Sequence, residues 1–433
     1  LQDMKRIDSS NRLRLLGFGL FVTVHFLSCL QRVAISVVAD ALTFELGLDS
    51  VALGFMSSGF FISYALTQPV MGILCDKVSP ERVSAGALIV AAFGTFLFAG
   101  AKGFAPAFCG RVMMGVGLAA GLIPGMKFIA VMFPPEVFST YNALFAAIGN
   151  TGALVGAAPL AWLTAKAGWR PVFRGLAFAA VLLSGLCWLF TSRYSTRKVP
   201  DSGSRHGSAS YSDVIRNCNL QLLALFMFAR FGSQAAFQGL WGVPYISSVY
   251  GVNSTLAAAA VSMIATGYVI SAPFMGRLAD ALAARGMGLF IARRRLLIAT
   301  TLCYVVAWMP IVLAKGLLSF RAICVLLFIM GVCLSSSSLV FGIAKDLLPS
   351  KVSGFATGLV NIMAILGGAV MPPLVGWFIK LLAAEGLQGG AMYSRALAPC
   401  LIAAALALSL MLMVRKLGDA PSEVQGGGHS RNL

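Results

Sequence analysis

Pro69-Val70-Met71-Gly72-Ile73-Leu74-Cys75-Asp76 closes one apolar run of the chain, and Pro273-Phe274-Met275-Gly276-Arg277-Leu278-Ala279-Asp280 closes another. Both read Pro-x-x-Gly-x-x-x-Asp, and they lie 204 positions apart in 433 residues. Tyr64 and Tyr268, Gly47 and Gly251, and Ser50 and Ser254 keep the same offset. A fixed-offset repeat in an apolar chain means two similar halves, an organisation far commoner in transporters than in enzymes.

The rest of the composition agrees. The chain is 58% hydrophobic and 11% charged, too few charges to cover a soluble surface. Apolar runs of about 20 residues, enough to cross a hydrocarbon core of roughly 30 Å, stand near 15–38, 52–74, 84–101, 108–132, 141–163, 172–192, 219–246, 255–275, 296–314, 322–344, 354–379 and 397–414. The predicted fold is an all-α membrane protein with twelve transmembrane helices in two pseudo-symmetric six-helix bundles. The first bundle occupies 1–192 and the second 217–417. A polar, basic, Ser-rich cytoplasmic linker (193–216) joins them, and a disordered cytoplasmic tail (418–433) follows. Phe133-Pro134-Pro135-Glu136-Val137 and Leu348-Pro349-Ser350-Lys351-Val352, before the fifth and eleventh runs, form a second internal match.

The net charge of +18 has a topological origin. With both ends cytoplasmic, about 21 of the 33 Lys and Arg fall in cytoplasmic segments, as the positive-inside rule requires. Basicity of that kind argues for a lipid bilayer partner and against nucleic acid. The first apolar run follows Lys5, Arg6, Arg12 and Arg14, is too long for a signal peptide, and is expected to stay as the first span. The expected location is multi-pass, in a bacterial cell inner membrane, and the expected state is a monomer. The nine cysteines show neither metal-ligand nor redox spacing, so no metal and no cofactor are expected. No nucleophile–base pair or phosphate loop is visible, which argues against an enzyme.

The repeated stretch carries a family resemblance. Gly72-x-x-x-Asp76-Lys77 with Arg82 resembles the loop motif between helices 2 and 3 of the major facilitator superfamily, and Gly276-x-x-x-Asp280 with Arg285 resembles its counterpart between helices 8 and 9. The resemblance spans the whole chain. It implies two bundles that rock around a central site, open to each side in turn. In this motif the glycine is read as letting two helices approach closely, and the acid as an acceptor for a neighbouring helix N-terminus.

Charges inside the spans point to the cargo. Arg32 lies in the first span and Arg230 in the seventh, the leading helices of the two halves, so symmetry predicts that they face each other across the cavity. None of the fifteen acids falls mid-span. Two buried cations without a carboxylate make an anion site. The arrangement resembles the organophosphate and phosphate exchangers of the superfamily, and Arg230-Phe231-Gly232 resembles their helix 7 motif. There are departures. Gly149, beside Asn150, stands where those exchangers carry a histidine. Gln31 and Leu118 stand where the related anion–cation symporters carry acids, so proton coupling through such acids is not implied.

Further polar residues extend the candidate site. Arg230, Gln234, Gln238 and Trp241 form one stripe of the seventh helix, expected to line the cavity. His25 precedes Arg32 by two turns; it is positioned to bond substrate or titrate, and a bond to a neighbouring helix is the alternative. Tyr64 and Tyr268 are read as closing over the substrate or packing, and Asn142, Asn150 and Asn361 as cavity donors. Arg111 is read as a gating contact or an interface anchor. The leading function is secondary active transport of a small anionic solute, an organic anion or phosphorylated metabolite, by alternating access and possibly as exchange. A non-transporting ligand sensor and proton-coupled efflux of a drug or metabolite are the alternatives.

Overall fold

The computed structural model describes residues 2–194, 216–313, 318–347 and 353–415. Among them, twelve helices are long and apolar enough to cross a membrane. They are α1 (Arg12–Leu46), α2 (Ser50–Cys75), α3 (Pro80–Ala99), α4 (Phe104–Met132), α5 (Leu144–Ala167), α6 (Trp169–Thr191), α7 (Cys218–Tyr250), α8 (Ser254–Met287), α9 (Leu289–Leu313), α10 (Phe320–Ala344), α11 (Ala356–Ala384) and α12 (Gly389–Met413). Most of the expected linker, the whole expected tail, and the segment from Leu348 to Val352 lie outside the described residues.

Local chemistry sets the helix ends. The Asp49 carboxylate accepts the Ala52 amide at the start of α2, and Asn217, Asn253 and Ser319 cap α7, α8 and α10 in the same way. Gly47 and Gly251, which follow α1 and α7, both adopt left-handed backbone, with φ of 63° and 64°. The repeat thus recurs as a repeated backbone turn. Its prolines, Pro69 and Pro273, lie inside α2 and α8.

α1 runs to Leu46, past the expected end at 38. The longer helix is stable because Glu45 in its last turn accepts hydrogen bonds from Trp169 Nε1 (3.0 Å) and Arg170 Nε (3.2 Å) of α6. Four spans are irregular near their middles; α5 breaks between Val155 and Ala158. α4 tightens to a 3₁₀ turn at Ala119–Gly121, α7 widens to a π turn at Phe237–Trp241, and α10 breaks between Ser335 and Ser338.

The helices form two six-helix bundles, α1–α6 and α7–α12. α3 packs on α4 and α6, while α7 packs on α11 and α12. The bundles meet along α2 and α11, and along α5 and α8. Phe93, Trp188 and Ile402 stay exposed on the outside, as a lipid-facing surface requires.

Candidate functional site

A cavity of about 540 Å³ lies between the bundles. α1 contributes His25, Cys29 and Arg32 to its wall, α2 Phe61, Tyr64 and Gln68, and α5 Asn142 and Asn150. From the second bundle come Phe231, Gln234 and Gln238 of α7, Tyr268 of α8, Ser337 and Ser338 of α10, and Asn361 of α11. Spacings of three and four residues on α1 put its three polar groups on one face.

Among the described residues, Arg32 is the only lining residue with a permanent charge, and no carboxylate pairs with it. Its guanidinium sits 5.6 Å from the Tyr64 ring centroid and 3.8 Å from Cys29 Sγ. Tyr268 also acts on it from α8, so the two equivalent tyrosines of the repeat flank one arginine. A cation contacted by tyrosines and a thiol, with no carboxylate beside it among the described residues, keeps donors free for an anion.

Amides from both halves fill the rest of the wall. Asn361 Nδ2 donates to Gln68 Oε1 at 3.0 Å, a bond that crosses between bundles. Gln234 Nε2 donates to Gln238 Oε1 at 3.0 Å. Asn150 Nδ2 donates to Ala146 O, which leaves its carbonyl oxygen facing Cys29 Sγ at 3.6 Å. The His25 imidazole stacks on Phe145 with centroids 4.9 Å apart. It occupies the space that a Cβ at Gly149 would need. A histidine on α1 therefore covers the helix-5 position at which the sequence lacks one.

Two expectations are corrected. Arg230 does not face Arg32 across the cavity. It is buried within the second bundle, donating to Thr301 Oγ1, to the Cys333 carbonyl, and to Ser336 Oγ at 3.1 Å, with Phe226 and Tyr304 rings each 5.5 Å away. The reason lies in the register. Arg32 stands 15 residues before Gly47, whereas Arg230 stands 21 before Gly251. Six residues shift a helical position by about 9 Å and turn it by about 240°, so the two arginines are not symmetry mates. Trp241 likewise leaves the expected stripe. The π turn rotates it, and its Nε1 donates to Pro372 O at 2.9 Å rather than lining the cavity.

The motif glycines are also corrected. A Cβ at Gly72 or Gly276 would meet nothing within 4 Å, so neither marks a close helix approach here. Lys77, Arg82, Asp280 and Arg285 are exposed, and the side chain of Asp76 lies outside the described ones. The opposite end of the molecule holds the close contact. Ser50 Oγ donates to Gly376 O at 2.7 Å, and Lys380 Nζ donates to Asp49 Oδ2 at 2.8 Å. A Cβ on Gly54 would collide with the backbone of Pro373. α2 and α11 thus shut that end. The Lys380 hydrogen bond, with the Ala52 amide second, holds the Asp49 carboxyl below its ordinary 3.8.

Arg111 is fully buried. It donates Nη1 to Gln31 O at 3.2 Å and lies 4.5 Å from the Phe60 ring, inside the first bundle and away from the lining. Gln68 and Cys29 line the cavity without having been singled out. Both were legible as one helical turn from a chosen residue, Gln68 from Tyr64 and Cys29 from His25.

Comparison with known proteins follows the same lines. A model described as Major Facilitator Superfamily matches residues 21–240 and 222–430. A probable galactarate/D-glucarate transporter, GudP of Bacillus subtilis (strain 168), is 25% identical over 407 residues, 84% of each chain. A probable galactarate/D-glucarate transporter, GarP of Escherichia coli (strain K12), is 24% identical over 394 residues, 81% of this chain and 84% of that one. In structure the chain resembles a bacterial homolog of the human lysosomal transporter Spinster, crystallised inward-facing and occupied. That likeness has a TM-score of 0.71 at 15% identity, over 93% of this chain and 96% of that one.

Proposed function

The chain belongs to the Major Facilitator Superfamily, a transporter and not an enzyme, and from that premise we propose that it carries a polyhydroxylated organic acid by alternating access. The observation that carries the reading is Arg32, a permanent cation on the cavity wall with no carboxylate partner among the described residues. An uncompensated guanidinium between two bundles favours an anionic cargo. The surrounding amides each donate and accept, as hydroxyl groups do. Gln68, Asn142, Asn150, Gln234, Gln238 and Asn361 therefore suit a sugar acid better than a bare inorganic anion. A cavity of about 540 Å³ accommodates a six-carbon acid with water to spare. The galactarate and D-glucarate named for two relatives belong to this chemical class.

The anion neutralises Arg32, so the loaded cavity closes more readily than the empty one. Exchange of anions then outpaces net uptake. The Gly72–Asp76 and Gly276–Asp280 ends face the cytoplasm of a bacterial inner membrane, by their share of the positive charge, with both termini on that side. Lys77, Arg82 and Arg285 hold those ends while the bundles rock, and the carrier acts as a monomer.

Thermal unfolding of the purified protein tests this reading. D-glucarate, galactarate and D-gluconate are expected to raise the Tm, whereas the neutral polyol D-glucitol leaves it unchanged. Arg32→Gln is expected to weaken the acids' effect by about ten- to a hundredfold in concentration, the worth of a charged hydrogen bond. Equal stabilisation by D-glucitol, or no stabilisation by any acid, overturns the reading.

A further inference from the structure

We propose that His25 carries a proton with dianionic cargo, so that a dicarboxylate crosses with one proton and a monocarboxylate crosses with none. The inference rests on the anion-carrier reading above and goes beyond it. The imidazole is built into the cavity wall on the same face of α1 as Arg32. It is held by stacking on Phe145 and by the empty side-chain position of Gly149. Cys29 Sγ lies 3.8 Å from His25 Nε2 and 3.8 Å from Arg32 Nη2, so one thiol links the imidazole to the guanidinium. His25 Nδ1 is buried with no hydrogen-bond partner among the described residues.

The groups facing His25 decide what its proton responds to. On α1 these are Cys29 and Arg32. α5 presents Phe145, Gly149 and Asn150, and α4 presents Gly121, none of them ionisable. Tyr64 of α2 and Tyr268 of α8 reach Cys29 and Arg32. Among the described residues, then, the only charge acting on the imidazole is a positive one. With the cavity empty, a proton on His25 would place a second buried cation beside Arg32. A monoanion cancels Arg32 and leaves the imidazole neutral. A dianion leaves one negative charge over, and a proton on His25 cancels it. The closed cavity is electrically neutral in both cases, the least costly condition for charges sealed in low dielectric. The site thus needs no intramembrane carboxylate to take up a proton.

The test uses the full-length protein in liposomes preloaded with D-gluconate and the pH dye pyranine. External D-glucarate exchanging for internal D-gluconate is expected to acidify the lumen. External D-gluconate is expected to leave it unchanged, as are protein-free liposomes. In His25→Gln, D-glucarate entry is expected to fall about tenfold relative to D-gluconate exchange, the size of a typical linked-binding effect, and the acidification to vanish. D-glucarate entry into wild-type liposomes without acidification overturns the proposal even if the variant fails to fold. So does acidification that persists in His25→Gln. Absence of exchange of either acid by the wild type overturns instead the anion-carrier reading, and this inference with it.

Discussion

Arg32 and Arg230 are the same residue type in the leading helix of each half, yet they differ in role. Arg32 meets the cavity with the Cys29 thiol and Tyr64 beside it and no carboxylate among the described residues, while every acceptor Arg230 contacts belongs to its own bundle. Substitution separates the two. Arg32→Gln is expected to lower anion exchange about a hundredfold at an unchanged Tm, because the lost interaction is with cargo. Arg230→Ala is expected to lower the Tm, since it strands Thr301, Ser336 and a buried carbonyl at a cost of about 2–3 kcal/mol. Thermal unfolding and exchange assays on both variants check the split; a stable but inactive Arg230→Ala would return Arg230 to the cargo site. The importance of Arg32 was legible from its place mid-span and the absence of acids. The misplacing of Arg230 was avoidable too, because its distance from Gly251 differs by six residues from that of Arg32 to Gly47. What could not be read was the imidazole over Gly149, a contact between helices 124 positions apart.

Among elements, α2 and α11 form the seam that shuts the end opposite the repeated motif. Gly54 and Gly376 are tight points of that seam, since a side chain at Gly54 meets the Pro373 backbone and one at Gly376 meets the Ser50 backbone. Gly54→Leu is expected to hold this end open and to raise labelling of a cysteine placed at Ser50 at least severalfold over the same cysteine in otherwise wild-type protein. Unchanged labelling would mean that α2 and α11 separate without effort. The Asp49–Lys380 pair adds a pH dependence to the same seam. Asp49's carboxyl is held below its ordinary 3.8, so its stabilisation is complete above that value and is lost as the pH falls beneath it. Both groups are largely exposed, so the effect is small. Labelling of the Ser50 cysteine relative to an exposed control cysteine, which cancels the fall of the thiolate fraction with pH, is expected to increase below about pH 4, and Asp49→Asn is expected to remove that increase. The helices themselves were legible from apolar runs and caps. The break in α4 was legible too, since Gly121 ends one part and Pro124 opens the next; the π turn of α7 was not.

For the molecule as a whole, the 204-residue repeat reappears as two bundles, matching helix caps and two equivalent tyrosines around one arginine. The symmetry is therefore architectural and not chemical. One half supplies the fixed charge and the imidazole, amides and a tyrosine come from both, and the serines come from the other. Neutralisation of one cation by cargo is the central claim, and counterflow measures it directly. Liposomes holding the protein and excess unlabelled D-glucarate are diluted into a trace of labelled D-glucarate. Wild-type protein is expected to accumulate label transiently, with Arg32→Gln retaining about a hundredth of that rate. Wild-type counterflow in Arg32→Gln would contradict the account.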